Sequence, residues 1–119
     1  MQYMLLIYQD EAARQKASEK QLSEVMGAYM AYTKTLRESG VWLAGDRLAP
    51  STTATTVRLE GGSAKVLNGP YAETKEQLGG FYIIDVPDLD AALAWAARCP
   101  GAQYGVMEVR PVVGVPRVE

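Results

Sequence analysis

The chain has 119 residues, with 12 Lys plus Arg against 14 Asp plus Glu, a formal charge of −2, no His, one Cys and 48% hydrophobic residues. At ~100–200 residues per domain this is one domain, residues 1–119, able to bury about 65% of the surface its unfolded chain exposes. The near-neutral balance lacks the clustered basic charge that nucleic-acid binding needs, and the absence of His excludes a Ser-His or Cys-His catalytic pair and any metal site built on imidazole.

Met4-Leu5-Leu6-Ile7-Tyr8 has no preceding basic region and runs straight into Gln9-Asp10-Glu11, so it reads as a strand and not as a signal peptide. Apolar residues on both faces of residues 3–8 place that strand in the middle of a sheet. After a polar stretch, Ser18 and Gln21 form a capping box. Leu22, Val25, Met26, Tyr29, Thr33 and Leu36 then follow the 3.6-residue period up to Gly40, which predicts a helix over 19–39. Val41-Trp42-Leu43-Ala44 predicts a short strand, interrupted by Gly45-Asp46-Arg47 and closed by Pro50. Residues 53–60 and 63–68 flank Gly61-Gly62, whose tolerance of positive φ suits a two-residue hairpin turn.

Asn68-Gly69-Pro70 ends the hairpin, and a charged connector from Tyr71 to Leu78 follows. Gly79-Gly80 leads into a buried strand, Phe81 to Val86. Asp88 caps a second helix whose face of Leu89, Ala92, Leu93, Ala96 and Ala97 is small enough to lie close to a sheet, and Cys99-Pro100-Gly101 stops it. Tyr104 to Arg110 predicts the last strand, and the tail from Pro111 to Glu119 is expected to pack weakly or at an edge. No apolar run approaches the ~18 residues of a membrane helix, and a lone Cys99 gives no disulfide framework, so the default assignment is cytoplasmic.

The order β-α-β, hairpin, β-α-β describes an α+β fold, the ferredoxin-like plan of two split βαβ units with an inserted β-hairpin. Two helices cover one face of such a sheet, and nothing in the chain covers the other. Tyr3, Trp42, Phe81, Tyr82 and Tyr104 all fall on predicted strands, which implies an outward aromatic face and a homodimer packing sheet against sheet.

Asp46 and Arg47 follow Gly45 at a strand end, where they form either a carboxylate and guanidinium at a cleft mouth or an exposed turn pair. The two-pronged donors of Arg47 suit a carboxylate-bearing ligand. Glu73-Thr74-Lys75-Glu76 is either a binding loop or a solvated connector. Asp46 or Glu73, if buried, has the chemistry of a base in a His-free enzyme. Gly69, Gly79 and Gly80 read as turn and strand-entry residues, because no phosphate-loop ending follows them. Tyr8, Tyr29, Tyr32 and Tyr82 either line an apolar cavity with their hydroxyls or pack as plain core, and Cys99 at a helix C-terminus reads as packing. No carboxylate spacing resembles a metal motif, so no metal or cofactor is expected.

Two stretches, residues 68–81 (Asn-Gly-Pro-Tyr-Ala-Glu-Thr-Lys-Glu-Gln-Leu-Gly-Gly-Phe) and 85–100, resemble the DGPF group of the YCII-related proteins. The opening Tyr3–Tyr8, the segment Leu43–Leu48 with Pro50-Ser51, and the closing Glu108–Pro111 share that resemblance. It implies a dimeric α+β barrel. Asn68 and Tyr71 stand where the group's signature has Asp and Phe, so a charge is lost, and the His-Asp pair attributed to some YCII proteins has no counterpart here. The group's frequent encoding beside extracytoplasmic-function sigma factors implies a regulatory setting. Three readings follow. The first is a homodimer that binds a small organic ligand, with Asp46, Arg47, Glu73, Lys75 and Arg110 at the pocket. The second is a cofactor-independent isomerase, lyase or oxygenase with a carboxylate base, and the third is a partner of a sigma factor.

Overall fold

Strand β1 (Gln2–Gln9) alternates in burial as a two-residue period requires: Tyr3, Leu5 and Ile7 are buried, while Met4, Leu6 and Tyr8 are half-buried. The computed structural model, which describes residues 1–115, continues through α1 (Glu11–Gln15), α2 (Glu19–Glu38), β2 (Trp42–Arg47), β3 (Thr55–Glu60) and β4 (Ser63–Asn68). It then adds β5 (Gln77–Asp85), α3 (Leu89–Arg98), α4 (Pro100–Tyr104) and β6 (Val106–Pro111). The main sheet has the order β2-β5-β1-β6 with every neighbouring pair antiparallel. β5 therefore lies between the strands joined by α2, and β1 between those joined by α3. The two β-α-β units interleave, as the element order predicts.

The helix ends are written locally. Ser18 Oγ accepts from the Gln21 N–H at 3.1 Å and Gln21 Oε1 accepts from the Ser18 N–H at 2.9 Å, so α2 begins on the expected capping box. It ends before Gly40, whose φ of +75° is left-handed. Asp88 Oδ1 accepts from the Ala91 N–H at 2.9 Å to start α3. Ala92 and Ala96 are buried and bring that helix close to the sheet. The core joins Tyr3, Leu5 and Ile7 to Tyr82 and Ile84 of β5, to Tyr32 and Leu36 of α2, and to Cys99. Tyr32 links the two long helices, its hydroxyl donating to the Trp95 carbonyl at 2.7 Å.

Several expectations are corrected. The polar stretch before Ser18 contains a helix, α1, capped by Asp10, whose carboxylate accepts from the Ala13 N–H at 3.1 Å. β2 is not interrupted at Gly45-Asp46-Arg47 but runs through all three. A Cβ at Gly45 would lie 2.7 Å from Tyr82 Cδ1 and 3.0 Å from the Phe81 carbonyl, so glycine is what lets β2 lie against β5. β5 likewise takes in Gly79 and Gly80. The hairpin begins at Thr55 and not Thr53, because Ser51–Thr53 form a single 3₁₀ turn. The second helix stops at Cys99-Pro100 as expected, but Pro100 then opens a further short helix, α4, at a position where its missing N–H costs nothing, and Tyr104 belongs to α4 instead of the last strand. The N–H of Val112 donates to the Gln2 carbonyl at 2.9 Å, which extends the β1–β6 pairing, and residues 116–119 of the expected edge tail lie outside the described residues.

The outward aromatic face is also corrected. Tyr3 and Tyr82 lie beneath the helices with Trp42 packed beside them, and Tyr104 sits on α4. Of the five, Phe81 does lie on the open face, which is otherwise built on Met4, Leu6, Tyr8 and Ile83, all half-buried. The hairpin β3–β4 forms its own two-stranded sheet around Gly61 and Gly62, at φ +58° and +82°. Its pairing puts Val57, Leu59, Ala64 and Val66 on one face, all exposed, with Leu59 at 73%.

Two substitutions test this account by urea denaturation. Ser18→Ala removes one half of the capping box and is expected to lower stability by about 1 kcal/mol. Gly45→Ala forces a methyl against Tyr82 and backbone, and is expected to cost ~1–3 kcal/mol, more than an exposed strand glycine would.

Candidate functional site

Helix α2 plays two parts along its length. Its C-terminal half carries the buried residues Tyr32 and Leu36, whereas Val25, Met26 and Tyr29 toward its N-terminus are only half-buried. The strand residues facing that upper half include Gly45 and Gly80, which bring no side chain to fill the gap. A cleft of about 590 Å³ results, walled by Ile7, Val25, Met26, Tyr29 and Tyr82. At its α1 end it borders a second hollow of about 800 Å³ beneath Leu22, Leu48 and Pro50. Gln9, Arg14, Met26, Asp46, Arg47 and Gly79 border both hollows.

Besides Gln9 and Arg14, polar groups reach the cleft from α2, β2 and β5. Thr33 Oγ and the Tyr82 hydroxyl are hydrogen-bonded at 2.9 Å across the floor. Arg47 points in from β2, its Nη1 3.8 Å from Met26 Sδ. Arg37 stacks over the Trp42 ring at 4.5 Å, and Lys34 pairs with Glu38 at 3.8 Å on the solvent side. Burial raises the phenols of Tyr29, Tyr32 and Tyr82 above their ordinary 10.0, so at neutral pH they are uncharged donors. Tyr8 is raised too, by desolvation first and then by Glu108, to which its hydroxyl donates at 3.2 Å. Burial pushes the Cys99 thiol from 9.0 up to about 11, against a smaller opposing effect of a Gly101 backbone hydrogen bond. That thiol is a core group, as its sequence position implied.

The five sequence candidates are separated. Arg47 faces the cleft. Asp46 contributes backbone there, but it pairs with Phe81, so its side chain is on the open face of the sheet and exposed. Arg110 lies on that open face as well, opposite Met4 on the far side of the sheet, and pairs with Glu108 at 3.2 Å. Glu73 and Lys75 are exposed on the connector before β5 and line neither hollow. The expected gathering of all five at one pocket is thus replaced by Arg47 alone in the cleft. Of the four tyrosines, Tyr29 and Tyr82 line it, Tyr32 is core and Tyr8 is on the open face. Arg14 and Gln9 were not foreseen, since both fall in the stretch read as a polar connector. The one signal available was Asp10, a good N-cap immediately before Glu11-Ala12-Ala13-Arg14. Among the described residues no group of three His, Cys, Asp or Glu is placed to hold a metal ion, and no helix is long and apolar enough to cross a membrane.

The family model of the YCII-related domain matches residues 1–115. The chain belongs to the YCII-related family. This YCII-related chain is 40% identical over 114 residues to an uncharacterized protein of Rhizobium meliloti (strain 1021), an alignment spanning 94% of this chain and 92% of the relative. Among solved structures it is similar to 5-chloro-2-hydroxyhydroquinone dehydrochlorinase (TftG) from Burkholderia phenoliruptrix AC1100, in complex with 2,5-dihydroxybenzoquinone. That similarity has a TM-score of 0.53 at 14% identity and covers 94% of this chain and 93% of the other. At such identity it establishes a shared α+β fold for the YCII-related domain and nothing finer.

The raised thiol and phenols set a pH dependence. Each ionises more readily in the unfolded chain than in the folded one, so stability is intact below about pH 9 and is lost as pH rises through 9.0 toward about 11. No imidazole is present, so the profile is expected to be nearly flat from about pH 6 to 8. Urea midpoints measured from about pH 6 to about pH 11 check both limbs, and Cys99→Ala is expected to reduce the alkaline loss.

Proposed function

We propose that this YCII-related domain binds a small organic molecule with an apolar body in the cleft between α2 and strands β2 and β5. The observation that carries this reading is the cleft itself. Its volume of about 590 Å³ lies within the ~300–1,000 Å³ range of small-molecule sites, and its walls are apolar with a few hydroxyl and guanidinium groups converging. The bound quinone of the dehydrochlorinase with which the fold is shared is a ligand of the same size class. Binding is preferred over turnover because the cleft offers no well-placed base: Glu38 is engaged by Lys34, and Asp46 turns its carboxylate to the other face.

The reading includes a homodimer of the dimeric α+β barrel type. Its support is the open sheet face, where Met4, Leu6, Phe81 and Ile83 form an apolar surface that a second copy, packed sheet to sheet, removes from water.

A thermal-shift series with phenols, hydroxyquinones including 2,5-dihydroxybenzoquinone, and aromatic acids tests the site. A ligand at ~100 times its Kd adds about 2.7 kcal/mol, a rise of several degrees. The rise is expected to disappear in Val25→Trp, which fills the cleft from α2. No shift with any compound, or a shift that survives Val25→Trp, overturns the assignment. Sedimentation equilibrium tests the assembly: twice the 13.0 kDa chain mass is expected, falling toward the single chain in Ile83→Lys. A wild-type monomer at tens of micromolar would reject the dimer.

A further inference from the structure

The charges around the two hollows do not balance, and the imbalance sits at one place. Lys34 is held by Glu38 at 3.8 Å, and Arg37 is spread over the Trp42 ring at 4.5 Å. Glu11, on the wall of the second hollow, is committed to the hairpin base, accepting from the Ser51 N–H at 2.7 Å and from its hydroxyl at 2.6 Å. Asp46 points its carboxylate through to the opposite face of the sheet. Two guanidiniums are left, Arg14 from α1 and Arg47 from β2. Neither has a carboxylate partner among the described residues, and the one polar contact of Arg47 is the weak one to Met26 Sδ at 3.8 Å. Both border both hollows, with the Gln9 side chain beside them.

We propose that the cleft selects organic acids, holding a ligand carboxylate between Arg14 and Arg47 at the junction of the two hollows while the apolar body lies along Met26, Tyr29 and Tyr82. This rests on the cleft being a ligand site and names the class of ligand it takes. A planar carboxylate matches the fork of a guanidinium through two parallel N–H donors, and such charge-assisted bonds are about twice as strong as neutral ones. A phosphate head group fits less well. Phosphate sites usually draw on backbone N–H groups at a helix N-terminus or a glycine-rich turn, whereas β2 and β5 are paired with each other at the junction and α1 is only five residues long. The apolar wall then discriminates by shape, because Tyr29 and Tyr82, neutral at pH 7, orient a ligand without competing for the anion.

The test is calorimetric titration of the intact protein with benzoate, phenylacetate and octanoate, with the amide of each acid as a neutral isostere and phenyl phosphate as the competing anion. Wild-type protein is expected to bind at least one acid about tenfold or more tightly than its amide, with the preference shrinking as salt rises. Arg47→Met and Arg14→Met are each expected to weaken acid binding about tenfold and to bring the acid-to-amide ratio close to one. Arg47→Lys keeps the charge but not the fork and is expected to fall between, and Lys75→Met on the exposed connector is expected to match wild type. Unliganded melting temperatures within about a degree of wild type confirm that the variants fold. Equal affinity for acid and amide, unaffected by either arginine variant, overturns the acid selectivity and leaves the ligand cleft standing. Phenyl phosphate binding more tightly than every acid overturns the carboxylate assignment. No binding of acid or amide up to millimolar concentration overturns the cleft and the selectivity together.

Discussion

The packing of Tyr82 against a strand position with no side chain holds this structure together. Its ring stands edge-on to Tyr32 at 5.4 Å and to Trp42 at 5.9 Å, while its hydroxyl meets Thr33 at 2.9 Å. One side chain on β5 thus fastens α2, β2 and the central strands to one another. Nothing larger than hydrogen fits at Gly45, directly across from it in the register. Edge-to-face aromatic pairs contribute about 0.5–1.5 kcal/mol each beyond the area they bury, and here two of them share one ring. The same ring forms part of the cleft wall, so the element that stabilises the fold also shapes the cavity.

The cavity in turn follows from how α2 divides its apolar stripe. A helix that buried its full length would leave no cleft. This one anchors only through Tyr32 and Leu36, and its upper turns face strand positions occupied by Gly45 and Gly80. The charge arrangement obeys a similar division. Glu11 is bonded to Ser51 and Asp46 lies toward the other face, so the charged groups free to meet a ligand at the α1 end are Arg14 and Arg47. A cavity that is apolar along its wall and carries two free guanidiniums at one end therefore arises in a molecule whose net charge is −2.

Much of this architecture is legible in the residues, because the signals are local. Ser18 and Gln21 satisfy each other's backbone groups whatever surrounds them, Gly40 and Gly61-Gly62 adopt the positive φ their places demand, and Asp88 caps α3. The site was less legible, for a reason visible in Asp46 and Arg47. Adjacent residues of a strand point to opposite faces, so two neighbours that look like a pair at a cleft mouth can share it only if the chain there is a turn. Once β2 continues through Gly45, one of the two must leave. Arg14 was hidden differently. A five-residue helix has too few positions for a periodic apolar stripe, and α1 buries none of its residues. Glu73 and Lys75 sit on a connector whose course no periodicity encodes.

The segment between β2 and β5 has a further property. The chain leaves the sheet at Leu48, whose N–H donates to the Gly79 carbonyl at 2.9 Å, and so re-enters through the residue it left beside. Residues 49 to 76, hairpin included, form an excursion whose base is held by that hydrogen-bonded pair and by the bonds of Ser51 to Glu11. β2 and β5 stay neighbours however long the excursion is, and the entropy of closing such a loop grows only with the logarithm of its length. The excursion is in this sense a cassette: its strands can lengthen, shorten or change chemistry without disturbing the register that holds Tyr82 opposite Gly45.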